Sequence, residues 1–337
     1  MVVIPHNVQL ENNMNVKKYN FPVLFILALF VLPFFFSSSV LLHVLILVYF
    51  YAFLSMSWNI LGGFAGQLSL GHAAYTATGA YLSTMLFLRW HISPWITMFG
   101  GGIGASIMSV IIGYPCFKLR GAYYALSTLA FAELVRVLIT NTDSFLGFQI
   151  NAARGLLLPV MGHAPGYFQF VDKQYYYYII LSFCTILTII LYFMNKLQFG
   201  YYLAAIREDQ EAAEALGINV TWFKLLAGIM SSFFTAIGGS FYAQYVLYIS
   251  AQSIGALHIS LEMAFISIVG GKGTIIGPII GAFLLTPLAE LTRVYLGGTY
   301  MGIHLVFYGG VLMLVVKFMP SGIIHPLRML YEKIITP

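Results

Sequence analysis

The stretch VLLHVLILVYFYAFLSMSWNIL occupies residues 40–61 and contains no aspartate, glutamate, lysine or arginine. A helix rises about 1.5 Å per residue, so a run of this length crosses the ~30 Å hydrocarbon core of a bilayer. Similar runs recur along the chain, which is 60% hydrophobic and only 8% charged. Because soluble domains are about 25% charged, this composition excludes a soluble protein and predicts a helical membrane protein.

The predicted architecture is an all-α polytopic membrane protein with about ten transmembrane helices. Residues 21–320 form the transmembrane domain, flanked by a polar N-terminal segment at 1–20 and a C-terminal tail at 321–337. The predicted spans are 21–37, 40–61, 72–90, 94–117, 121–140, 175–195, 223–249, 257–271, 275–295 and 301–319.

The basic residues indicate how the chain is oriented in the membrane. The net charge of +5 comes from lysines and arginines that are scattered singly, so no basic patch for nucleic acid forms. If both termini are cytoplasmic, most of these residues lie on the inner side, as the positive-inside rule requires. The same orientation places residues 196–223 in the cytoplasm and the loop 141–174 outside.

One strongly charged segment, REDQEAAEALGINVTWFK at 207–224, lies between two predicted spans. Charged residues are costly in hydrocarbon, so this segment lies outside the bilayer. Asp209, Glu211 and Glu214 fall near the start of a short helix, where carboxylates complement the positive helix end. Gly217 suits the left-handed residue that ends a helix. Such a helix offers a small, smooth surface to a soluble partner, although the composition also fits a plain solvated connection.

Two glycine-rich segments interrupt apolar runs in different halves of the chain. They read GGFAGQLSLG at 62–71 and GGKGTIIGPIIG at 270–281. Interrupted segments in both halves indicate a transport pathway. The alternative is that Gln67 and Ser69 only satisfy backbone groups freed where a helix breaks, and that His72 is a structural hydrogen-bonding residue.

A few ionisable residues fall inside predicted spans. Glu133 and Arg136 lie three positions apart on one helical face, as do Glu290 and Arg293, and we predict that each couple forms a structural charge pair. Glu262 has no evident partner in the sequence. Ionisable groups at membrane depth usually face the bundle interior or a water-filled route, so Glu262 is a candidate pathway residue.

The sequence predicts no catalytic residue, metal ligand or cofactor site in this chain. Lys272 is followed by Gly273, and Ile266 stands where the leading glycine of a phosphate-binding P-loop would be. No second histidine lies at metal-ligand spacing from His72. An intramembrane hydrolase using Ser69 and His72 is disfavoured because Ser69 lacks the glycine-flanked nucleophile turn.

Four segments, in this order along the chain, resemble a known family. They are WNILGGFAGQLSLGHAAYTATGAY (58–81), LRGAYYALSTLAFAELVR (119–136), FGYYLAAIREDQEAAEALGINVTWFKLLAG (199–228) and IVGGKGTIIGPIIGAFLL (268–285). Together they are similar to the LivM-like permeases of branched-chain amino acid ABC importers, over roughly residues 40–322. The resemblance implies a transmembrane permease domain with a short cytoplasmic coupling helix, the EAA loop, within 196–223.

The resemblance also implies partners and residue roles. In the family, two cytoplasmic ABC ATPase subunits bind ATP and Mg, a LivH-like second permease completes the pore, and a periplasmic substrate-binding protein delivers substrate at the bacterial inner membrane. The residues implied in coupling to the ATPase are Arg207, Asp209, Glu211, Ala212, Ala213, Glu214 and Gly217. Those implied in the translocation pathway or its gate are Gln67, Ser69, His72, Tyr75 and, from its position, Glu262.

The sequence leaves the transported substrate open. Branched-chain amino acids are the family's default, and related permeases carry urea or short amides. The outer loop reads DSFLGFQINAARGLLLP at 143–159 and departs from the family pattern, which leaves the substrate and the choice of binding protein open. A different class, an ion-coupled secondary transporter using Glu133, Glu262 and Glu290, would leave the charged 207–217 segment without a role.

Overall fold

The computed structural model describes residues 30, 38–142, 144–145, 148–149, 155–162, 165–296, 306, 309–310, 313–314, 317 and 322–324. The described part is mainly helical, as predicted. The predicted terminal segments 1–20 and 321–337 and the predicted spans 21–37 and 301–319 lie largely outside the described residues.

The helix boundaries follow the predicted spans closely through the middle of the chain. In the described part the helices are α1 (Ser39–Asn59), α2 (His72–Trp90), α3 (Pro94–Cys116), α4 (Ala122–Thr140), α5 (Lys173–Lys196), α6 (Gln198–Glu208), α7 (Gln210–Ala215), α8 (Val220–Val246), α9 (Ala251–Ile254), α10 (Leu257–Gly270) and α11 (Gly277–Leu296). A π-helical turn, Ile60–Phe64, continues α1, and a 3-10 turn spans Pro165–Tyr167.

Six stretches of the described chain are long and apolar enough to cross a membrane. They are Ser39–Phe64, Pro94–Cys116, Ala122–Thr140, Lys173–Lys196, Val220–Val246 and Ala251–Gly270. The predicted count of about ten spans is therefore not confirmed. Helix α2 is not among the six, since it contains several Thr, Ser and Gly residues that lower its hydropathy. Helix α11 contributes a shorter apolar stretch, Gly277–Thr292.

Helix α1 occupies the centre of the bundle. It packs against α5, α8, α10 and α11. From Ile46 to Asn59 every residue except Tyr51 is buried. A helix that is apolar on all sides can be stable only when other elements surround it, which explains why the run of 40–61 becomes the core rather than the surface.

Helices α2, α3 and α8 pack against each other at very short distances through small residues. A Cβ atom on Gly79 would overlap the backbone of Ala236, and one on Gly239 would overlap the carbonyl of Thr76. The Ser240 hydroxyl donates to the Gly79 carbonyl at 3.0 Å. Small residues let helix backbones approach closely. Inside a membrane, where the hydrophobic effect does not drive helices together, this van der Waals packing is a main source of helix association.

The two ends of the bundle differ. One end, called here the α7 end, gathers the π-helical turn, the α3–α4 connection, helices α6 and α7, and the α10–α11 connection. The opposite end, called here the far end, gathers the loop between α4 and α5 and the segment after α8. There Trp95 Nε1 donates to the Pro165 carbonyl at 2.8 Å and Ser93 Oγ donates to the Gly166 carbonyl at 2.6 Å.

Short strands at the far end depart from the predicted all-α fold. Strand β1 (Ser144–Phe145) pairs with β2 (Phe148–Gln149), and β3 (Leu156–Leu157) pairs with β4 (Tyr248–Ile249), both antiparallel. The backbone groups of an irregular loop need hydrogen-bond partners where they are buried, and two-residue ladders supply them. The β3–β4 pair ties the α4–α5 loop to the segment that follows α8.

Replacing Gly79 with alanine should destabilise the bundle, because the added methyl group meets the backbone of α8 rather than a movable side chain. Overpacking of this kind costs about 1–3 kcal/mol. We expect a lower unfolding midpoint in detergent, followed by intrinsic fluorescence. Gly166→Ala is the matched control, since nothing lies within 4 Å of its added Cβ. Equal midpoints for the two variants would contradict the close packing of α2 on α8.

Candidate functional site

The start of α7 is fixed by a side-chain cap. The first N–H groups of a helix have no partner within the helix. Here the Asp209 carboxylate accepts hydrogen bonds from the backbone N–H of Glu211 at 2.9 Å and of Ala212 at 3.1 Å. Asp209 is extended, which separates α6 from α7 and turns the chain between them. The sequence predicted carboxylates at this helix start.

Gly217 closes α7 in the left-handed conformation that the sequence predicted, with φ of +84°. The Gly217 N–H donates to the Glu214 carbonyl at 2.9 Å, and the Ile218 N–H donates to the Ala213 carbonyl at 3.1 Å. This pair of bonds is the Schellman motif. A residue with a Cβ atom is disfavoured at this φ, even though the space around Gly217 is open.

The two faces of α7 differ in exposure. Ala213 is buried against Ile206 of α6 and Val220 of α8, so it seats the helix on the bundle. The remaining predicted residues Glu211, Ala212 and Glu214 are exposed, as is Ala215. Leu216 follows with 81% of its surface exposed. The α7 surface therefore presents alanines and an exposed leucine beside carboxylates.

Two polar links hold α7 to other helices. Arg120, in the α3–α4 connection, forms an ion pair with Glu211 at 2.6 Å, and this hydrogen bond raises the pKa of the Arg120 guanidinium. Lys224 is fully buried in the first turns of α8, and its Nζ donates to Gln210 Oε1 at 2.7 Å. Gln210 Nε2 in turn donates to Glu214 Oε1 at 3.0 Å.

Sequence reasoning did not single out Lys224, Gln210 or Arg120 as site residues. Lysine and arginine at these positions fit the positive-inside pattern, which explains them by topology alone. A signal for Lys224 exists, since it is a lone charge inside a long apolar helix, but its partner lies on another helix. Arg120 and Gln210 carry no local signal, because their contacts depend on how α7 folds back.

The break after the π-helical turn is held together by side chains from α1, from α4 and from the break itself. Trp58 Nε1 donates to the Ser69 carbonyl at 2.7 Å, and the Leu70 N–H donates to Thr128 Oγ1 at 3.0 Å. Gln67 Nε2 donates to the Ala65 carbonyl at 3.3 Å. Ser69 Oγ accepts from the Gly71 N–H at 3.3 Å, so the Gln67 and Ser69 side chains each bond a backbone group of the break.

His72 lies at the centre of a buried polar chain. Its Nε2 lies 2.7 Å from Ser231 Oγ on α8, and its Nδ1 lies 3.2 Å from Ser69 Oγ. The Ser231 hydroxyl donates to the Ser57 carbonyl at 2.7 Å, so it accepts from Nε2–H. The His72 ring therefore joins α1, α2 and α8 through Ser231. The Tyr75 ring stands edge-on to the His72 ring, with centroids 5.5 Å apart.

The structure brings the two glycine-rich segments into contact. Asn59 Nδ2 donates to the Thr274 carbonyl at 2.8 Å, while the Gly273 N–H donates to Asn59 Oδ1 at 2.9 Å. A Cβ on Gly63 would collide with Asn59 and with the Gly273 backbone. Segments 62–71 and 270–281, far apart in sequence, form one joined region at the α7 end.

The intramembrane charges take different positions. Glu133 and Arg136 form an ion pair on the exposed face of α4, with Arg136 Nε donating to Glu133 Oε2 at 2.9 Å. Glu262 hydrogen-bonds to Tyr51 of α1, and Glu290 of α11 lies close enough to act on the same tyrosine. The side chain of Arg293 lies outside the described residues.

Among the described residues, no group of three or more His, Cys, Asp or Glu side chains could hold a metal ion. Cys116 and Cys184 are both buried and free. The geometry so far defines a multi-pass membrane protein with two broken helices joined at one end, beside a short capped helix that exposes one face.

Comparison with known proteins identifies the family. The family model described as "Branched-chain amino acid transport system / permease component" matches residues 40–316. The chain therefore belongs to the family of permease components of branched-chain amino acid transport systems, and the resemblance inferred from the four sequence segments is confirmed.

Individual relatives are distant but cover most of the chain. It is 26% identical over 329 residues to the high-affinity branched-chain amino acid transport permease LivM of Escherichia coli K12, covering 90% of this chain and 75% of that protein. It is 22% identical over 293 residues to LivH of the same strain, covering 81% and 91%. A probable LivM of Methanocaldococcus jannaschii is 24% identical over 250 residues, covering 69% and 68%. The comparison with solved structures gives no significant match.

Replacing Lys224 with methionine should loosen α7. Methionine keeps the apolar stem but leaves the Gln210 amide without its ammonium partner, at a cost of about 1–2 kcal/mol. Amide hydrogen exchange in the 209–218 peptides should then quicken by roughly 5- to 30-fold. Lys118→Met is the matched control, because Lys118 is exposed at the same end of the bundle. Unchanged exchange in the Lys224 variant would contradict a stabilising role for the Lys224–Gln210 hydrogen bond between α8 and α7.

Proposed function

We propose that this chain is the membrane-spanning permease subunit of an ATP-driven ABC importer that moves branched-chain amino acids into the cytoplasm. In this proposal α7 is the coupling helix that receives a cytoplasmic ABC ATPase. The single observation that carries the proposal is the construction of α7. It is capped at both ends and seated through buried Ala213, and it exposes its other face.

The α7 surface suits a groove in a soluble partner. Small alanine side chains let a helix sit deeply in a groove, and exposed Leu216 and Trp222 supply apolar anchors near its end. Glu208, Glu211 and Glu214 surround them with negative charge. A complementary partner would carry an apolar groove with basic residues at its rim, since interface cores are apolar and charge complementarity sets orientation. ATP and Mg would bind to that partner.

Support for a second permease comes from α4. Only 28% of its apolar stretch is buried within the chain, the lowest share among the six candidate spans. The exposed face carries the Glu133–Arg136 ion pair. An ion pair facing lipid is costly, whereas one facing a protein or a water-filled route is not. A LivH-like partner would cover this face, and relatives of both the LivM and LivH types match the chain.

The far end would receive the periplasmic substrate-binding protein. The β3–β4 pair and the turn Pro165–Tyr167 expose side chains there. In this arrangement the chain lies in the bacterial inner membrane with both termini in the cytoplasm. A permease for urea or short amides remains the alternative substrate class. An ion-coupled transporter is the alternative mechanism, with Glu262 beside Tyr51 as its first candidate residue.

Replacing Leu216 with aspartate should release the ATPase without unfolding the permease, because this side chain is almost entirely exposed. A central interface anchor is worth about 2 kcal/mol or more. Affinity purification of the tagged chain in mild detergent should recover an ATPase and a second permease from the wild type. The Leu216→Asp chain should retain only the second permease.

The matched control is Leu157→Asp, which changes another highly exposed leucine at the far end and should leave ATPase recovery unchanged. A wild-type chain that is folded but recovered alone would contradict the importer proposal. A Leu216→Asp chain that still carries the ATPase would contradict docking on α7.

A further inference from the structure

Arg207 is placed differently from the other residues of the charged segment. It is the penultimate residue of α6, two positions before the Asp209 cap. Its side chain is 34% exposed, whereas that of neighbouring Glu208 is 75% exposed. The sequence groups Arg207 with residues that face a partner, but the structure directs it toward the chain's own glycine-rich segments.

The backbone of Gly66 lies directly beneath the Arg207 side chain. A Cβ atom at Gly66 would stand 2.9 Å from Arg207 Cγ and 3.3 Å from Arg207 Cα. Gly66 also has a φ of +70°, which favours glycine on its own account. The first glycine-rich segment can therefore approach α6 only because position 66 has no side chain.

The same arginine also covers the second glycine-rich segment. A Cβ atom at Gly273 would collide with the Arg207 guanidinium, and it would lie 3.0 Å from the Gly63 carbonyl oxygen. Gly273 has a φ of +73°. Arg207 therefore lies against both segments at the point where Asn59 already joins them. On its other side the guanidinium donates to Glu208 Oε1 at 2.9 Å.

Electrostatics favour a cation at this position. The π-helical turn ends at Phe64, two residues before Gly66, and α10 ends at Gly270, three residues before Gly273. The carboxyl ends of helices carry partial negative charge from their unpaired carbonyl groups. Both glycine-rich segments that contact Arg207 follow such an end, so a guanidinium is electrostatically favoured beside them.

From this geometry we propose that Arg207 is a positioning residue that connects α7 to the ends of both broken helices. Movement imposed on α7 then shifts the joined glycine segments, and with them the ends of α1 and α10. The inference rests on the proposed function, because it supposes that an ATPase moves α7. It adds that one residue inside the coupling segment acts inward rather than on the ATPase.

The test compares Arg207→Met and Arg207→Lys in the assembled complex. Methionine removes the charge and keeps an unbranched stem, while lysine keeps a cation. Both are made in a chain whose buried Cys116 and Cys184 are replaced by serine and whose Leu68, 43% exposed within the first glycine segment, is replaced by cysteine. Four quantities are measured: recovery of the ATPase, ATP hydrolysis, leucine uptake, and the rate of maleimide labelling at position 68 with and without ATP and vanadate.

We expect Arg207→Met to retain the ATPase and its hydrolysis while uptake falls by roughly 3- to 30-fold, the range of a coupling free energy. The labelling rate at position 68 should no longer respond to ATP, and Arg207→Lys should restore part of both signals. Lys118→Met, which removes an exposed cation at the same end, should behave as the wild type.

Loss of the ATPase from Arg207→Met would overturn the inference and make Arg207 a docking residue, while the importer proposal would stand. Normal uptake together with an unchanged labelling response would also overturn it. A wild-type chain that recruits no ATPase would overturn the proposed function, and the inference with it.

Discussion

The constraint on which the rest of the structure depends is the need to satisfy backbone polar groups where a helix breaks inside a membrane protein. Wherever such groups are buried, the protein itself must supply hydrogen-bond partners. At the first break those partners come from Trp58 of α1 and Thr128 of α4, while Ser260 of α10 accepts from the Ala73 N–H as α2 begins. At the second break Asn59 supplies both a donor and an acceptor.

These hydrogen bonds at the two breaks have a structural consequence. Each break is bonded to at least one other helix, and Asn59 at the end of α1 bonds the second break directly. His72 adds a third connection, joining α2 to α8 through Ser231. Helix α8 begins beside α7 and ends at the strand pair of the far end, so one continuous helix of 27 residues connects the two ends of the molecule. Helices of this kind transmit displacement as rigid elements.

Local chemistry made much of the structure predictable. The helix at 210–215 follows from its carboxylates, its alanines and the glycine at 217, which are all local signals. Helix boundaries in the described part follow from apolar run lengths. The number of spans did not follow as simply, because α2 is lined with hydroxyl and glycine residues that pack rather than face lipid, and its hydropathy is correspondingly low.

Contacts between distant segments were not predictable from one sequence. The sequence around Lys224 does not indicate Gln210 as its hydrogen-bond partner. Likewise, the sequence around Gly273 does not indicate its contacts with Asn59 and Arg207. The strand pair between Leu156 and Ile249 is similarly long-range, and two residues carry no periodic signal. Helical periodicity did anticipate the Glu133–Arg136 contact, since the two residues share a face at i and i+3. The partner of Glu262, Tyr51, lies on a different helix, so local sequence did not indicate it.

The most direct test of an ATP-driven import mechanism is leucine uptake into proteoliposomes holding the purified membrane complex. ATP is enclosed inside with the ATPase, and leucine is supplied outside with the binding protein. The mechanism predicts accumulation that requires hydrolysable ATP and persists when ionophores collapse every ion gradient. Accumulation by this chain alone, without ATP and following an ion gradient, would contradict it and make the carboxylates of the spans the coupling residues.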